Sequence, residues 1–258
     1  VVMAEAAYQA HGLHYRYINC EVEPESLGQA VEGARAMNWK GFHCSIPHKT
    51  EVIKFLDELG ESARVIGAVN CVVNRDGKLV GENTDGKGFV KAFEEVRSAA
   101  GETVVLLGAG GAARAIAVEL ALAGAKKIYI LNRTVERGQI LTDLLNENTP
   151  ATAEFIEWNK TFVIPKDATA VINSTSIGMA GIGDLQDIDY DSINDTMLVA
   201  DVIINPPSTP FLEEAAKRGA HTLNGHGMVV YQAVVGIKYW TGADVDPEIL
   251  RAQLVAVL

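Results

Sequence analysis

The sequence predicts an α/β fold made of two successive α/β units. Three observations carry this expectation: β-rich and helical patterns alternate from end to end, polar clusters stand at the ends of the early strands, and one strand–glycine turn–helix–strand run spans about 33 residues. Alternation of this kind implies parallel sheets covered by helices.

Taken in order, "VVMAEAAYQAHGL" reads as a helix closed by Gly12, and "HYRYINCEV" as a strand with period-2 alternation at its start. "ESLGQAVEGARAM" puts Leu27, Ala30, Val31, Ala34 and Met37 on one helical side. "GFHCSI" is a short strand and "KTEVIKFLDEL" a helix. "AVNCVVN-RDG-KLVGEN" reads as a hairpin turning at Asp76-Gly77, followed by the helix "GKGFVKAFEEVRSA". "TAVINSTS" and "MLVADVII" are apolar runs bounded by turn residues, the pattern of buried strands. "GMVVYQAVVGIKYW" and "DPEILRAQLVAV" close the chain as helices. The domain boundaries expected from this pattern are residues 1–84 for the first unit and 85–225 for the second. Residues 226–258 return to the first, because Val229, Val230, Ala233, Val234 and Ile237 need an apolar partner.

Composition narrows the function. The 258 residues are 48% apolar and 21% charged, an ordinary globular balance, and no apolar run reaches the roughly 18 residues of a membrane span. A formal charge of -11 argues against a nucleic-acid surface, which is usually basic. Cys20, Cys44 and Cys71 have no metal-type spacing, and their odd number suits a reduced, cytoplasmic chain. The histidines form no i, i+4 pair, so no metal is expected. The chain opens at Val1 directly into a helix, an unusual start for an α/β protein, so further residues are expected upstream.

"LLGAGGAARAI" supplies Gly108, Gly110 and the small residue Ala113 in the G-x-G-x-x-G/A spacing. It follows a strand, opens a helix and precedes a second strand, "KIYIL", which is the context a Rossmann-type dinucleotide site requires. Helix N–H groups and dipole would then face a pyrophosphate. An NAD site usually has a carboxylate at the end of that second strand. Here stand Asn132, Arg133 and Thr134, with Arg137 at i+4 from Arg133. Arginine grips a 2′-phosphate that a carboxylate would repel, so the expected cofactor is NADP.

Three polar clusters stand at element ends in the first unit: "SIPHK", "GAVN" and "GENTDGKG". A lysine and an aspartate converging there, Lys49 and Asp85, could hold a substrate hydroxyl and move its proton. Spacing alone leaves open a surface lysine and a helix cap supplied by Thr84 or Asp85. His43 and His48 flank Lys49 and could tune it or bind substrate; a strand histidine satisfied by a neighbour is equally open.

"SIPHK", "IGAVN", "ENTDGKGF", "GAGGAARA", "NRTVER", "INSTSIGM" and "GHGMVVYQA…YWTG" together resemble the shikimate/quinate dehydrogenase family, in order, from about residue 3 to residue 242. The resemblance implies an α/β substrate domain plus an NADP- or NAD-binding Rossmann domain, with the site in the cleft between them. It implies Lys49 and Asp85 as the catalytic pair, and Ser45, Asn70, Asp85 and Gln232 as substrate contacts. It implies Gly108, Ala109, Gly110, Gly111, Ala112, Asn132, Arg133, Thr134 and Arg137 as cofactor contacts, with Thr175, Val202 and Gly225 beside the nicotinamide half. The activity it implies is NADP(H)-dependent interconversion of a ring hydroxyl and a ketone on a small polyhydroxylated cyclic acid, shikimate/3-dehydroshikimate type, as in aromatic amino acid biosynthesis. Quinate or another shikimate-like substrate is the alternative, and a catalytically idle nucleotide-binding sensor a second one. A monomer or homodimer is expected, without nucleic-acid or membrane partners. The sequence also departs from the family. Its Ser-x-Ser would fall before Val1, and its His-Asn on the first helix is Ala4-Glu5. His43 replaces an asparagine, Ser45 and Cys71 threonines, and Ile204 a tyrosine. The hydride-transfer machinery is kept while the substrate pocket is altered, as in a divergent paralogue.

Overall fold

The computed structural model describes residues 1–179, 182–183 and 185–258. The chain divides into two compact units, residues 1–88 with 230–258, and residues 89–229.

The first unit contains α1 (Val2–Ala10), α2 (Leu27–Ala36), β1 (Gly41–His43), the short α3 (His48–Glu51), β2 (Glu58–Leu59), α4 (Glu61–Ile66), β3 (Cys71–Arg75) and β4 (Lys78–Glu82). Its sheet runs β1-β3-β4-β2, with β1 and β4 antiparallel to β3 and β2 parallel to β4. The Asp76-Gly77 turn forms as expected: Asp76 takes a φ of 53° and Gly77 of 93°, and Arg75 pairs with Lys78. α5 (Thr84–Glu94) starts in this unit. Leu27, Val31, Val52, Ala63, Val69, Val72 and Leu79 form its core.

Two expectations fail here. "HYRYINCEV" forms no strand. The backbone N–H of Tyr17 is taken by the Glu5 carboxylate of α1 instead of a neighbouring strand. "KTEVIKFLDEL" is not one helix: α3 gives way to a 3-10 turn at Val52–Phe55, and Glu58–Leu59 pairs into the sheet as β2. Its length was that of a helix, but the backbone turns extended at Leu56, and Ile53, Phe55, Leu56 and Leu59 all pack against the core.

The second unit holds β5 (Thr103–Leu107), α6 (Gly111–Leu122), β6 (Lys127–Asn132), α7 (Val135–Asn148), β7 (Thr152–Glu157), β8 (Phe162–Val163), β9 (Ala170–Asn173), β10 (Ile188–Asp189), β11 (Leu198–Asp201), α8 (Pro210–Lys217) and β12 (His221–Leu223). Its main sheet is parallel and runs β12-β11-β9-β5-β6-β7. Counted from β5, the chain winds outward one way through β6 and β7, then returns to wind the other way through β9, β11 and β12. This is the doubly wound dinucleotide-binding order, with its reversal between β5 and β9. Central strands buried on both faces explain the unbroken apolar runs: every residue of β5, β9 and β11 is buried.

α9 (His226–Thr241) leads into α10 (Pro247–Val257). From Val230 onward these helices belong to the first unit, where α10 packs on α1 and Trp240 Nε1 donates to the carbonyl of Val72 at 2.9 Å. Among the described residues no helix is long and apolar enough to cross a membrane.

Candidate active site and cofactor site

In the first unit, Lys49 Nζ donates to Asp85 Oδ2 at 2.6 Å, and Asn70 Nδ2 donates to Asp85 Oδ1 at 2.8 Å. The lysine and aspartate side chains keep 31% and 22% exposure, so the pair is sheltered yet reachable. Local structure explains why they meet. Lys49 lies on α3, and its carbonyl accepts from Val69 N, tying the helix to the loop before Asn70. Asn70 is buried; its amide oxygen accepts from Thr84 N at 2.6 Å. Asp85 stands in the first turn of α5, where the positive end of the helix dipole favours a carboxylate.

The cap of α5 resolves the alternative left by spacing. Asn83 Oδ1 accepts from the backbone N–H groups of Asp85 and Gly86, at 3.2 and 3.3 Å. Neither Thr84 nor Asp85 caps the helix, so the Asp85 carboxylate is free to face Lys49. Thr84 instead joins the site, accepting from Asn70 Nδ2 at 3.0 Å and donating to Gln232 Oε1 at 3.4 Å. Sequence reasoning missed Thr84 as a site residue and Asn83 as the cap, although the adjacent "ENTDG" held both. Ser45 is exposed, and among the described residues its hydroxyl donates only to the neighbouring Ile46 carbonyl, so it stands outside this hydrogen-bonded cluster. His48 Nε2 is engaged with the carbonyl of Val22. His43 bonds Tyr17 through Nδ1 at 2.9 Å, and burial pushes its pKa down to about 4, so its imidazole is neutral at physiological pH.

In the second unit the glycine turn follows β5 at the sheet's reversal point. Gly108 has a φ of 107°, a conformation that side-chain-bearing residues rarely adopt, and a Cβ there would crowd Ser174 and Thr175 at about 3 Å. Gly110 precedes α6, and Cβ atoms at Gly110 or Gly111 would meet nothing within 4 Å, which leaves open space over the helix N-terminus. Ala109 lies in the turn, Ala112 in the first turn of α6, and the buried Ala113 packs the helix on its strand.

Thr175 is held by Asn173, whose Oδ1 accepts from its backbone N–H and hydroxyl at 3.1 and 2.7 Å. Asn173 Nδ2 in turn donates to Asp201 Oδ1 at 3.0 Å, and Thr209 Oγ1 donates to Asp201 Oδ2 at 2.7 Å. Burial raises the pKa of the Asp201 carboxyl. This network, which sequence reasoning did not identify, fixes the loops carrying Thr175 and Val202. Gly225 lies against the Val202 and Ile203 carbonyls, where a Cβ would come within 2.6 Å of both oxygens. Ile204 is tied by its carbonyl to His226 Nε2 at 3.0 Å.

Asn132 ends β6 and donates to the carbonyl of Thr134 at 2.8 Å, and Thr134 is the N-cap residue of α7. Arg133 and Arg137 are exposed and have no hydrogen-bonding or ionic partner among the described residues. Their spacing is not that of one helical face, as i, i+4 suggested. Arg133 lies before the N-cap, and only Arg137 stands on the helix, in its first turn. An arginine there opposes the helix dipole, which an anion between the two side chains would offset. An open glycine turn at a helix N-terminus and unpaired cations at the end of β6 fit a phosphorylated dinucleotide. No metal-binding cluster of His, Cys, Asp or Glu occurs among the described residues.

Comparison with known proteins identifies the family. Residues 1–72 match the model of the shikimate dehydrogenase substrate binding domain, and residues 91–202 that of shikimate/quinate 5-dehydrogenase. The chain is 41% identical to the NADP(+) shikimate dehydrogenase of Desulforamulus reducens, over 96% of this chain and 87% of that one. Among solved structures, it is 48% identical to the ligand-free 5-ketofructose reductase of Gluconobacter sp. strain CHM43, with a TM-score of 0.97 over 100% of this chain and 93% of that one. It is 32% identical, with a TM-score of 0.91, to the Listeria monocytogenes shikimate 5-dehydrogenase solved with shikimate and NAD, covering 98% of this chain and 90% of that one. The chain therefore belongs to the shikimate/quinate dehydrogenase family and is an NADP-dependent oxidoreductase.

Proposed function

We propose that Lys49 and Asp85 are the acid–base pair that interconverts a secondary hydroxyl and a ketone on a small polyhydroxylated substrate of the shikimate type. The observation that carries this reading is the Asn70–Asp85–Lys49 hydrogen-bonded chain, whose members are each held by separate elements. In the reductive direction the Lys49 ammonium gives a proton to the carbonyl oxygen as it becomes a hydroxyl; in the oxidative direction Lys49 takes that proton back. Asp85 orients the lysine and accepts from a neighbouring substrate hydroxyl, while Asn70, Gln232 and Ser45 supply further polar contacts. Bound NADP(H) supplies or accepts the hydride. Gly108–Ala112, Asn132–Thr134 and Arg137 would hold it, with Thr175, Val202 and Gly225 lining its nicotinamide end. In this reading residues 1–84 with 226–258 form the substrate domain and residues 85–225 the cofactor domain, of a cytoplasmic monomer or homodimer that binds no nucleic acid.

A second substrate reading rests on a specific observation. The chain is 48% identical to a 5-ketofructose reductase, and Glu5, His43 and Ile204 stand where the family pattern has other residues. A polyhydroxylated ketone without a carboxylate is then the alternative to a cyclic acid. Purified protein with NADP and shikimate or quinate, and with NADPH and 3-dehydroshikimate or 5-ketofructose, followed at the NADPH absorbance, tests both. Absence of turnover with all four, while NADPH still binds, would overturn both substrate readings.

A further inference from the structure

Tyr17 and His43 form a polar pair that the acid–base chemistry above does not use. Tyr17 lies on the extended segment after α1, with its backbone N–H donating to Glu5 and its hydroxyl 2.9 Å from His43 Nδ1. Trp240 of α9 braces both rings, with centroids 4.6 Å from His43 and 5.9 Å from Tyr17. His43 Nε2 is shielded from solvent, has no hydrogen-bond partner, and faces the backbone of α9 at Gly236.

That orphaned nitrogen decides where the proton sits. A buried N–H without an acceptor is rarer and costlier than a buried acceptor left unfilled. The neutral imidazole therefore carries its hydrogen on Nδ1, and the tautomer follows from the bond that nitrogen makes. Nδ1–H donates to the Tyr17 oxygen. The phenolic hydrogen of Tyr17 then has no acceptor among the described residues and is left for a ligand. Burial holds Tyr17 up to about 12 and His43 down to about 4, so both stay neutral across ordinary pH. His43 ends β1 opposite Cys71, the residue after Asn70, and the N–H of the next residue, Cys44, donates to the Asn70 carbonyl at 2.8 Å, which sets the pair beside the Asn70–Asp85–Lys49 chain.

We propose that Tyr17 is a specificity-determining residue that donates its phenolic hydrogen to a hydroxyl or ketone oxygen of the substrate, with His43 the positioning residue that fixes this direction. This rests on the catalytic reading above and narrows its substrate. The side chains around Tyr17 suit an uncharged oxygen. Glu5 is anionic, His43 is neutral, Lys49 is already paired with Asp85, and the nearby Arg16 is 83% exposed and directed to Glu5. Among the described residues a carboxylate would meet no unpaired cation there. The class it fits is a polyhydroxylated ketone lacking a carboxylate.

The test is steady-state reduction of 5-ketofructose and of 3-dehydroshikimate by the full chain with NADPH. We expect wild type to favour 5-ketofructose by about 10-fold or more in kcat/KM, on the scale of one unpaired polar group. Tyr17→Phe is expected to raise KM for 5-ketofructose about 10-fold, with kcat and NADPH affinity nearly unchanged. His43→Phe should do the same, while His43→Asn, whose amide can still donate to Tyr17, should restore a near-wild-type KM. An unchanged KM in Tyr17→Phe, beside an active wild type, overturns this inference alone. No turnover of either ketone by wild type overturns the catalytic reading and this one with it. Should the variants fail to fold, nitrogen NMR of wild-type His43 still decides: a proton found on Nε2 overturns the donor assignment, and one on Nδ1 supports it.

Discussion

Asn83 and Asp85 share one helix end but divide its work. The Asn83 side chain caps α5 by accepting from the N–H groups of Asp85 and Gly86, while the Asp85 carboxylate turns away to Lys49, 2.6 Å distant. A carboxylate spent on capping would have competed with that ion pair.

Lys49→Ala and Asp85→Ala are each expected to lower kcat by about 10²-fold or more, the usual scale for an acid–base group. NADP(H) affinity should hardly move, because neither residue lies on the glycine turn. Stopped-assay kinetics together with fluorescence titration of NADPH check both halves. Near-wild-type turnover in either variant removes that residue from the catalytic pair.

Asn83→Ala tests the cap and its hold on Asp85. Loss of an N-cap costs about 1 kcal/mol, and Asn83 is buried and also donates to the Ala68 carbonyl at 3.1 Å. We expect a lower thermal midpoint and a reduced kcat, because the first turn of α5 positions Asp85. Asn83→Asp keeps the accepting oxygen but loses the donor, and should fall between the two. An unchanged midpoint in Asn83→Ala would mean that water replaces the cap at no cost.

Much of this site was legible in the sequence, and the gaps have physical causes. β5, α6 and β6 could be read directly, because a strand buried on both faces and a glycine turn leave strong local signals. Lys49 and Asp85 were visible as polar residues at element ends, but their meeting depends on Asn70, which is 15 residues before Asp85 in sequence and bridges by its amide. The Asn173–Asp201–Thr209 network was not legible, since its members look like ordinary strand ends and a loop threonine until the parallel sheet aligns β9 with β11. "HYRYINCEV" misled because its alternation reports side-chain burial, whereas a strand also needs a paired backbone.

His43 gives a pH dependence of stability with a definite sign. Burial lowers its folded pKa to about 4, against about 6.5 in an unfolded chain. The unfolded state therefore takes up a proton first as pH falls. The stability associated with neutral His43 is fully present above about pH 6.5 and is lost as pH drops toward 4, by up to roughly 3 kcal/mol. The charges that act on it are secondary to burial: Asp85 raises its pKa, and Lys49 and the N-terminal ammonium lower it. Urea unfolding at pH 7 and pH 5 should show wild type losing about 2 kcal/mol more than His43→Asn. Equal losses in the two proteins would mean that the histidine is not buried as neutral imidazole.

Cofactor preference rests on the end of β6. Asn132 stands where a carboxylate would repel a 2′-phosphate, and its amide is tied to the Thr134 carbonyl. Arg133 before the cap and Arg137 in the first turn of α7 are exposed and unpaired among the described residues. Each charge-assisted hydrogen bond to a phosphate contributes about 1.5–3 kcal/mol, and each 1.4 kcal/mol is tenfold in affinity. Two such arginines are expected to favour NADP over NAD by on the order of 10²-fold. Arg133→Ala should remove most of that preference by weakening NADP while leaving NAD nearly unchanged, with Arg137→Ala acting in the same direction. Asn132→Asp should go further, because it adds a repelling charge and offers NAD a partner for the ribose hydroxyls. Calorimetric titration of both cofactors against wild type and the three variants reads this directly. Equal wild-type affinity for NAD and NADP would return both arginines to the status of surface charges, with the opposing dipole of α7 left uncompensated.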